Sequence, residues 1–295
     1  MEITTIPGDL FPQEGKFDRT AILGYRSSIT AQKTRITLNT NLFSFLLEGE
    51  KTVHYSGKTI RIDNQKFLLL AGNNCLMSEK LSSNGKYGSL LLFFDDKIFN
   101  DFLDKYRGLI HADPTGPKKE PVLCFDQDPF IRNFLHSLEL MLRAGTPIPK
   151  EMQWLKFEEL MLYLIQHHPQ FLLSFQAAPQ TDSSDLMIKT IVENNIHNPI
   201  TVEELAFLCN MSLSTFKRRF ARLYGNSPNK WILQKRMELA ADLLRQWHTK
   251  PSDVYYQVGY ENHSSFTHSF KQVFGLTPSA FQASPQSATL QPGKA

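Results

Sequence analysis

The hydrophobic spacing of this chain changes once, and that change limits its fold more than any other feature. Up to about residue 95 the apolar residues come in short or alternating runs. "NLFSFLLEGEKTVHYSGKTIRIDNQKFLLLAGNNCLMS" is split at Gly49, Gly57, Asp63-Asn64 and Gly72-Asn73-Asn74, and "GSLLLFFDD" adds one more run. Such runs, bounded by turn residues, are the pattern of strands. "KTVHYSGKTIRI" predicts a hairpin turning at Ser56-Gly57. Farther along, "DPFIRNFLHSLELMLRAG" and "EMQWLKFEELMLYLIQHH" repeat at three and four residues, which is helical, and "GTPIP" between them predicts an antiparallel helical hairpin.

The hairpin's apolar stripe has two readings. Trp154, Phe157, Leu160, Met161, Leu164 and Ile165 either cover the open end of the sheet or, through the first five, form the interface of a homodimer. "SFQAAPQTDSS" then reads as a linker, and everything from Asp185 reads as helix. The expected organisation is a regulatory or dimerisation domain over 1–173, a linker over 174–184, an all-α domain over 185–283 and a disordered tail over 284–295.

A length of 295 residues, 41% of them apolar, suits two domains with real cores. No run of 18 apolar residues exists, so no membrane span is expected, and the N-terminus lacks the basic and apolar regions of a signal peptide. Cys75, Cys124 and Cys209 are too few and too far apart for a disulfide framework or a zinc site, which fits a reducing cytoplasm. Net charge is only +3, of which 183–283 carries +3, with 11 Lys and Arg against 8 Asp and Glu. Charge on this scale names no partner.

The helical part is more specific. Thr201-Val202-Glu203-Glu204 is a T-x-x-E capping box that starts a helix, and Val202, Leu205, Ala206 and Leu208 give it a buried face. Cys209, Asn210 and Met211 make a short turn, and Ser212 caps the next helix: the plan of a helix-turn-helix. On a helical wheel Leu213, Phe216, Phe220 and Leu223 fall on the core side. Ser214, Thr215, Arg218, Ala221 and Arg222 fall opposite, with Lys217 and Arg219 on the flanks. Small residues let a backbone approach the floor of a major groove, where Arg or Lys pairs with guanine O6 and N7 or with phosphate. A solvated cationic face would look the same on this helix alone.

A second copy follows. "SPNKWILQKRMELAADLLRQ" reads as a connecting helix of about 19 residues, spanning about 28 Å. "KPSDVYYQVGY" and "ENHSSFTHSFKQVFG" repeat the helix-turn-helix plan. Val254, Val258, Phe266, Phe270, Val273 and Phe274 face inward, Gly259 sits at the turn, and Ser264, His268 and Lys271 point away. Two such helices about one DNA turn, roughly 34 Å, apart can enter successive major grooves.

"ITVEELAFLCNMSLSTFKRRFARLYGNSPNKWILQKRMELAADLL" and "VGYENHSSFTHSFKQVFGLTPSAFQ" closely resemble the DNA-binding domain of the AraC/XylS family of bacterial transcription regulators, over about 100 residues. The run G-Y…S-x-F…F-K-x-x-F-G-x-T-P carries the match. "FLLEGE" and "LKFEELMLYL" more loosely resemble the sensor half of such regulators, including the ExsA-type activators. The resemblance implies a sequence-specific regulator of double-stranded DNA, usually an activator touching RNA polymerase. It implies base contacts from Ser214, Thr215, Lys217 and Arg218 in the first reader, a phosphate contact from Arg222, and contacts from His263, Ser264, Thr267, His268 and Lys271 in the second. The family commonly has a small Ala where this chain has Tyr255 and an aliphatic residue where it has Pro251. Histidines stand where permanent cations are frequent, so the first motif is expected to dominate affinity.

The strand-rich part resembles a cupin-like barrel, which makes the fold class α+β: a cupin-like β-barrel with a helical hairpin, then an all-α domain with two helix-turn-helix motifs joined by a long helix. Cupin metal sites need several His and a Glu, and the barrel segment has His54 alone. No G-x-S-x-G, Walker loop or dinucleotide fingerprint is present, so neither an enzyme nor a cofactor is expected. Cys75 reads as a buried structural thiol. Arg35, His54, Tyr55, Arg61 and Trp154 are each able to meet an effector, with nothing in the spacing to select among them. Control by a small molecule and control by a regulatory protein both stay open.

Overall fold

The computed structural model describes residues 3–10, 19–55, 57–109, 120–169, 174–175, 184–246 and 249–284. The chain divides into two compact units, Met1–Asp182 and Ser183–Ala295. Most of the expected linker and nearly all of the expected tail lie outside the described residues. The α+β class read from the sequence is the class the chain adopts, with sheets in the first unit and helices in the second.

Among the described residues the first unit holds ten strands in two five-stranded sheets. β1 (Ile3–Ile6), β3 (Ala31–Leu38), β8 (Asn74–Lys80), β5 (Glu50–Tyr55) and β6 (Lys58–Ile62) form one, in that spatial order. β10 (Val122–Asp126), β7 (Lys66–Leu70), β4 (Asn41–Glu48), β9 (Tyr87–Phe94) and β2 (Thr20–Ser27) form the other. The expected hairpin is β5 and β6, with Tyr55 opposite Lys58 across the turn.

The second sheet is covered on both faces, which explains why its central strands read as unbroken apolar runs. Along β4 and β9 successive side chains go to opposite sides. Leu42, Leu46, Leu91 and Phe93 join residues of the first sheet, such as Ile36, Val53 and Met77, in a core between the sheets. Phe43, Phe45, Leu90, Leu92 and Phe94 face a helical layer. That layer is α1 (Asp96–Lys105), α2 (Pro129–Arg143) and α3 (Lys150–His167). Asp95 and Asp128 cap α1 and α2 by accepting the N–H groups of Ile98 and Ile131, and Pro129 occupies the first turn of α2, where no donor is needed.

This packing corrects the dimer reading. Phe157, Leu160, Met161 and Leu164 are at most 1% exposed, and Trp154 packs partly buried against the same cluster, so the stripe is spent on the outer face of the second sheet. A fully buried apolar side chain stabilises its own fold by about 1.5–3 kcal/mol and leaves no surface for a second copy. The helices also lie on a sheet face instead of closing an open end.

The second unit contains α4 (Ser184–Asn194), α5 (Val202–Leu208), α6 (Leu213–Tyr224), α7 (Pro228–Arg245), α8 (His263–Phe274) and α9 (Pro278–Ala283). Ahead of α8, where an α-helix was expected, the chain makes two short 3-10 turns, Pro251–Asp253 and Tyr256–Val258. Pro251 supplies no N–H, and Val254, Tyr255, Tyr256 and Val258 are poor helix formers, so nine residues do not sustain a regular helix. Val254 and Val258 are nonetheless fully buried, in a cluster with Met237, Leu244, Phe266, Phe270 and Phe281.

Candidate nucleic-acid interface

The first motif is built by local hydrogen bonds that its residue types dictate. Thr201 and Glu204 form the full capping box: the Thr201 N–H donates to Glu204 Oε2 at 2.8 Å, and the Glu204 N–H donates to Thr201 Oγ1 at 3.2 Å. Two residues beyond the end of α5, Asn210 takes the left-handed conformation at φ 54. The Asn210 N–H donates to Phe207 O and the Met211 N–H to Ala206 O, each at 3.0 Å, so the chain leaves α5 through a Schellman turn. Ser212 then caps α6, accepting the Thr215 N–H at 3.3 Å.

The second motif repeats this plan. Gly259 is left-handed at φ 79, its N–H donates to Tyr256 O at 3.3 Å, and the Tyr260 N–H donates to Tyr255 O at 3.0 Å. Asn262 caps α8 by accepting the Ser265 N–H at 2.8 Å. Both reading helices finish at a left-handed glycine, Gly225 or Gly275, and both are followed by a helix with proline in its first turn.

The outward faces follow from this anchoring. On α6, Phe216 and Phe220 are fully buried, while Ser214, Lys217, Arg218 and Arg222 are exposed and Thr215 is half-buried. Leu213 and Leu223, expected in the core, are only half-buried. On α8, Phe266 and Phe270 are fully buried, while His263, Ser264, His268 and Lys271 are exposed and Thr267 is half-buried. Thr215 and Thr267 both have hydroxyls near their own helix start: Ser212 Oγ donates to Thr215 Oγ1 at 2.9 Å, and Thr267 Oγ1 lies 3.5 Å from His263 Nδ1. Tyr255, the bulky residue at a commonly small position, packs partly buried against the second cluster and meets the His263 ring edge-on at 6.0 Å.

Arg222 has a partner that sequence reasoning missed. One terminal nitrogen of its guanidinium donates to both carboxylate oxygens of Asp185, at 3.2 and 3.1 Å. Asp185 lies 37 residues earlier, on α4, and no local signal in the sequence links the two. Both side chains are substantially exposed, so the pair is worth at most about 1 kcal/mol.

The arrangement is matched by known proteins. Residues 205–284 fit a helix-turn-helix domain model and residues 41–175 fit an ExsA N-terminal regulatory domain model. The thermoregulatory protein LcrF of Yersinia pestis is 26% identical over 237 residues, covering 79% of this chain and 86% of LcrF. The regulator ExsA of Pseudomonas aeruginosa is 26% identical over 238 residues, covering 79% of this chain and 83% of its own. The chain is a DNA-binding transcription regulator of the AraC family. Among solved structures, apo ToxT of Vibrio cholerae aligns with 90% of the regulator and 97% of its own chain, at 12% identity and a TM-score of 0.40. The DNA-binding domain of AdpA in complex with a target DNA aligns with 35% of the regulator and 94% of its own chain, at 26% identity and a TM-score of 0.33.

The regulator's first unit contains a second feature that sequence reasoning missed. A cavity of about 120 Å³ opens between the two sheets, lined by apolar residues such as Ile6, Ile36, Met77 and Leu91 and by Lys51 and Glu79. Lys51 is 3% exposed, and its ammonium donates to Ser44 Oγ at 2.7 Å. Burial holds its pKa below the ordinary lysine value, against the pull of Glu79, its cross-strand neighbour, and of Cys75. The hydroxyls of Tyr87 and Ser89 are buried, and Ser89 lines the cavity. None of the five effector candidates taken from the sequence lines this cavity. The usable signal was alternation: Lys51 shares a strand face with inward Val53 and Tyr55. Cys75, buried and pushed up to about 12 by burial, is the inert thiol expected. Among the described residues no helix is long and apolar enough to cross a membrane.

Proposed function

We propose that this regulator reads a two-part DNA site with α6 and α8 and activates transcription through RNA polymerase, under the control of a small molecule held between the sheets of its first unit. Ser214, Thr215, Lys217 and Arg218 contact bases from α6, and His263, Ser264, Thr267 and His268 contact bases from α8. Arg222 and Lys271 hold phosphates. Its place of action is the cytoplasm, on nucleoid DNA. The observation that carries the reading is the pair of reading helices, each anchored by two fully buried phenylalanines and each turning hydroxyls and basic or imidazole side chains outward. The VirF relatives of Yersinia enterocolitica are virulence regulon transcriptional activators, which favours activation over repression.

The effector part is supported by the cavity. Apolar walls surround Lys51, Glu79 and the buried hydroxyl of Ser89, a setting that suits a small amphipathic molecule with one polar end. A second reading, control by a regulatory protein, is supported by exposed Leu140 on α2 and Leu155 on α3, at 53% and 54%.

Selection of bound duplexes from random DNA by the full chain at near-physiological salt tests the DNA part. Two short motifs about one helical turn apart are the expected result, and an unenriched pool rejects it. A thermal-shift panel of amphipathic metabolites separates the two modes of control. Saturation at 100 times the dissociation constant stabilises the chain by about 2.7 kcal/mol. A panel without shifts favours the protein partner.

A further inference from the structure

The two reading helices are held by more than the rod between them. The turn that joins α4 to α5 reaches the turn of the second motif. A Cβ placed on Gly259 would lie 3.0 Å from Asn198 O and 3.1 Å from His197 O, so the two backbones come close there and a side chain would be crowded. Gly259 is also left-handed, at φ 79.

Arg236, on the connecting helix α7, secures this contact from a third side. Its Nε donates to Ile196 O at 2.9 Å, and a terminal nitrogen donates to Asn198 O at 2.5 Å. Its guanidinium carbon lies 6.0 Å from the centre of the Tyr260 ring. Each of these neighbours leads to a reader. Asn198 O also accepts the Ile200 N–H at 2.7 Å, one residue before the capping box of the first motif. Tyr260 follows Gly259 and meets Phe266, a core anchor of α8, edge-on at 5.7 Å. One half-buried guanidinium therefore joins the entry to the first motif, the turn of the second and the helix that links them. The planar fork of arginine presents its donors to two carbonyls in a fixed geometry, which the freely rotating ammonium of lysine does not.

From this geometry we infer that Arg236 is a positioning residue that fixes the separation and angle of α6 and α8, and through them the permitted spacing of the two DNA half-sites. The inference rests on the reading that both helices enter DNA. One inserted base pair moves the second half-site by about 3.4 Å and turns it by about 35°. A rigid pair of readers cannot follow that change, and a loosened pair can.

The test uses the full chain and four duplexes: the two selected motifs at the selected spacing, at one base pair more, at one base pair fewer, and the first motif alone. Wild type should lose at least tenfold on either spacing change. Arg236→Met and Arg236→Lys should lose less than threefold, with affinity for the first motif alone unchanged. Gly259→Ala, which pushes the same contact apart from the other side, should relax the spacing in the same way. Circular-dichroism melting establishes which variants are folded, and Arg236→Lys and Gly259→Ala carry the test should Arg236→Met not fold. Variants that keep the wild-type spacing ratio, or that weaken all four duplexes by one common factor, overturn the inference. A wild-type selection that returns one motif only overturns the two-reader reading, and this inference with it, before any variant is made.

Discussion

Asn210 and Gly259 hold the same place in two copies of one turn; Asn210 is exposed, and Gly259 is pressed against the backbone of Asn198. Both are left-handed, and both are followed by a residue whose N–H reaches back five residues. Asparagine tolerates that conformation where space is open. Next to Asn198 O a side chain is crowded. Asn210→Gly is therefore expected to change stability by no more than about 1 kcal/mol, and Gly259→Ala to cost about 1–3 kcal/mol. Denaturant unfolding of the full chain checks the ranking, and equal costs would refute it.

The two readers should contribute unequally to affinity. Arg218 brings a permanent cation with a bidentate fork, whereas His268 brings at most one hydrogen bond of each kind. Arg218→Ala is expected to weaken binding by about 10- to 100-fold, about 1–3 kcal/mol, and to relax preference at the contacted base pair. His268→Ala should cost several-fold less on the same duplex. Titrations that give the two variants equal losses would reject the ranking.

On the proposed reading, Asp185 competes with DNA for Arg222. Asp185→Asn removes the negative partner and keeps the shape, so affinity should rise by up to about fivefold at low salt, the equivalent of a surface pair of about 1 kcal/mol. Arg222→Ala should instead lower affinity across all sequences and reduce the slope of log affinity against log salt by about 1. A salt series on both variants decides, and an Asp185→Asn protein that binds no better than wild type shows that the pair is spectator to binding.

Lys51 gives the first unit a pH signature. Its pKa is depressed in the folded chain, so between that value and the ordinary lysine value of about 10.4 the unfolded chain holds a proton that the folded chain has released. Stability then rises with pH through this window, and the penalty of burying the charge is fully present below it. Lys51→Met should be more stable than wild type at pH 7, by about 1 kcal/mol, with the gap closing toward pH 10. Melting curves at both pH values test the sign. The same variant should lose the stabilisation produced by any metabolite that acts through the cavity.

The parts of the chain that could be read from sequence are those whose chemistry is local. α6 and α8 carry their caps, their phenylalanine spacing and their glycine stops within fifteen or so residues, so periodicity found them. α1 was missed because Asp95 ends a strand and caps a helix at once, with no breaker to separate the two patterns. β2 and β3, "TAILGYRS" and "AQKTRITL", mix polar residues into both faces and gave no clean alternation. The stripe on α3 is legible, but its partner, a sheet face assembled from five strands, is not. The link from Asp185 to Arg222 and the link from Arg236 to Asn198 both join residues more than thirty apart, and nothing short of the folded domain brings them together.

β9 is a wall shared by two interiors. Leu91 looks into the cavity between the sheets, and Leu90 and Leu92, its immediate neighbours, look into the helical layer. A strand turns successive side chains to opposite faces, so one thickness of backbone carries both the lining of the cavity and part of the seat of the helices.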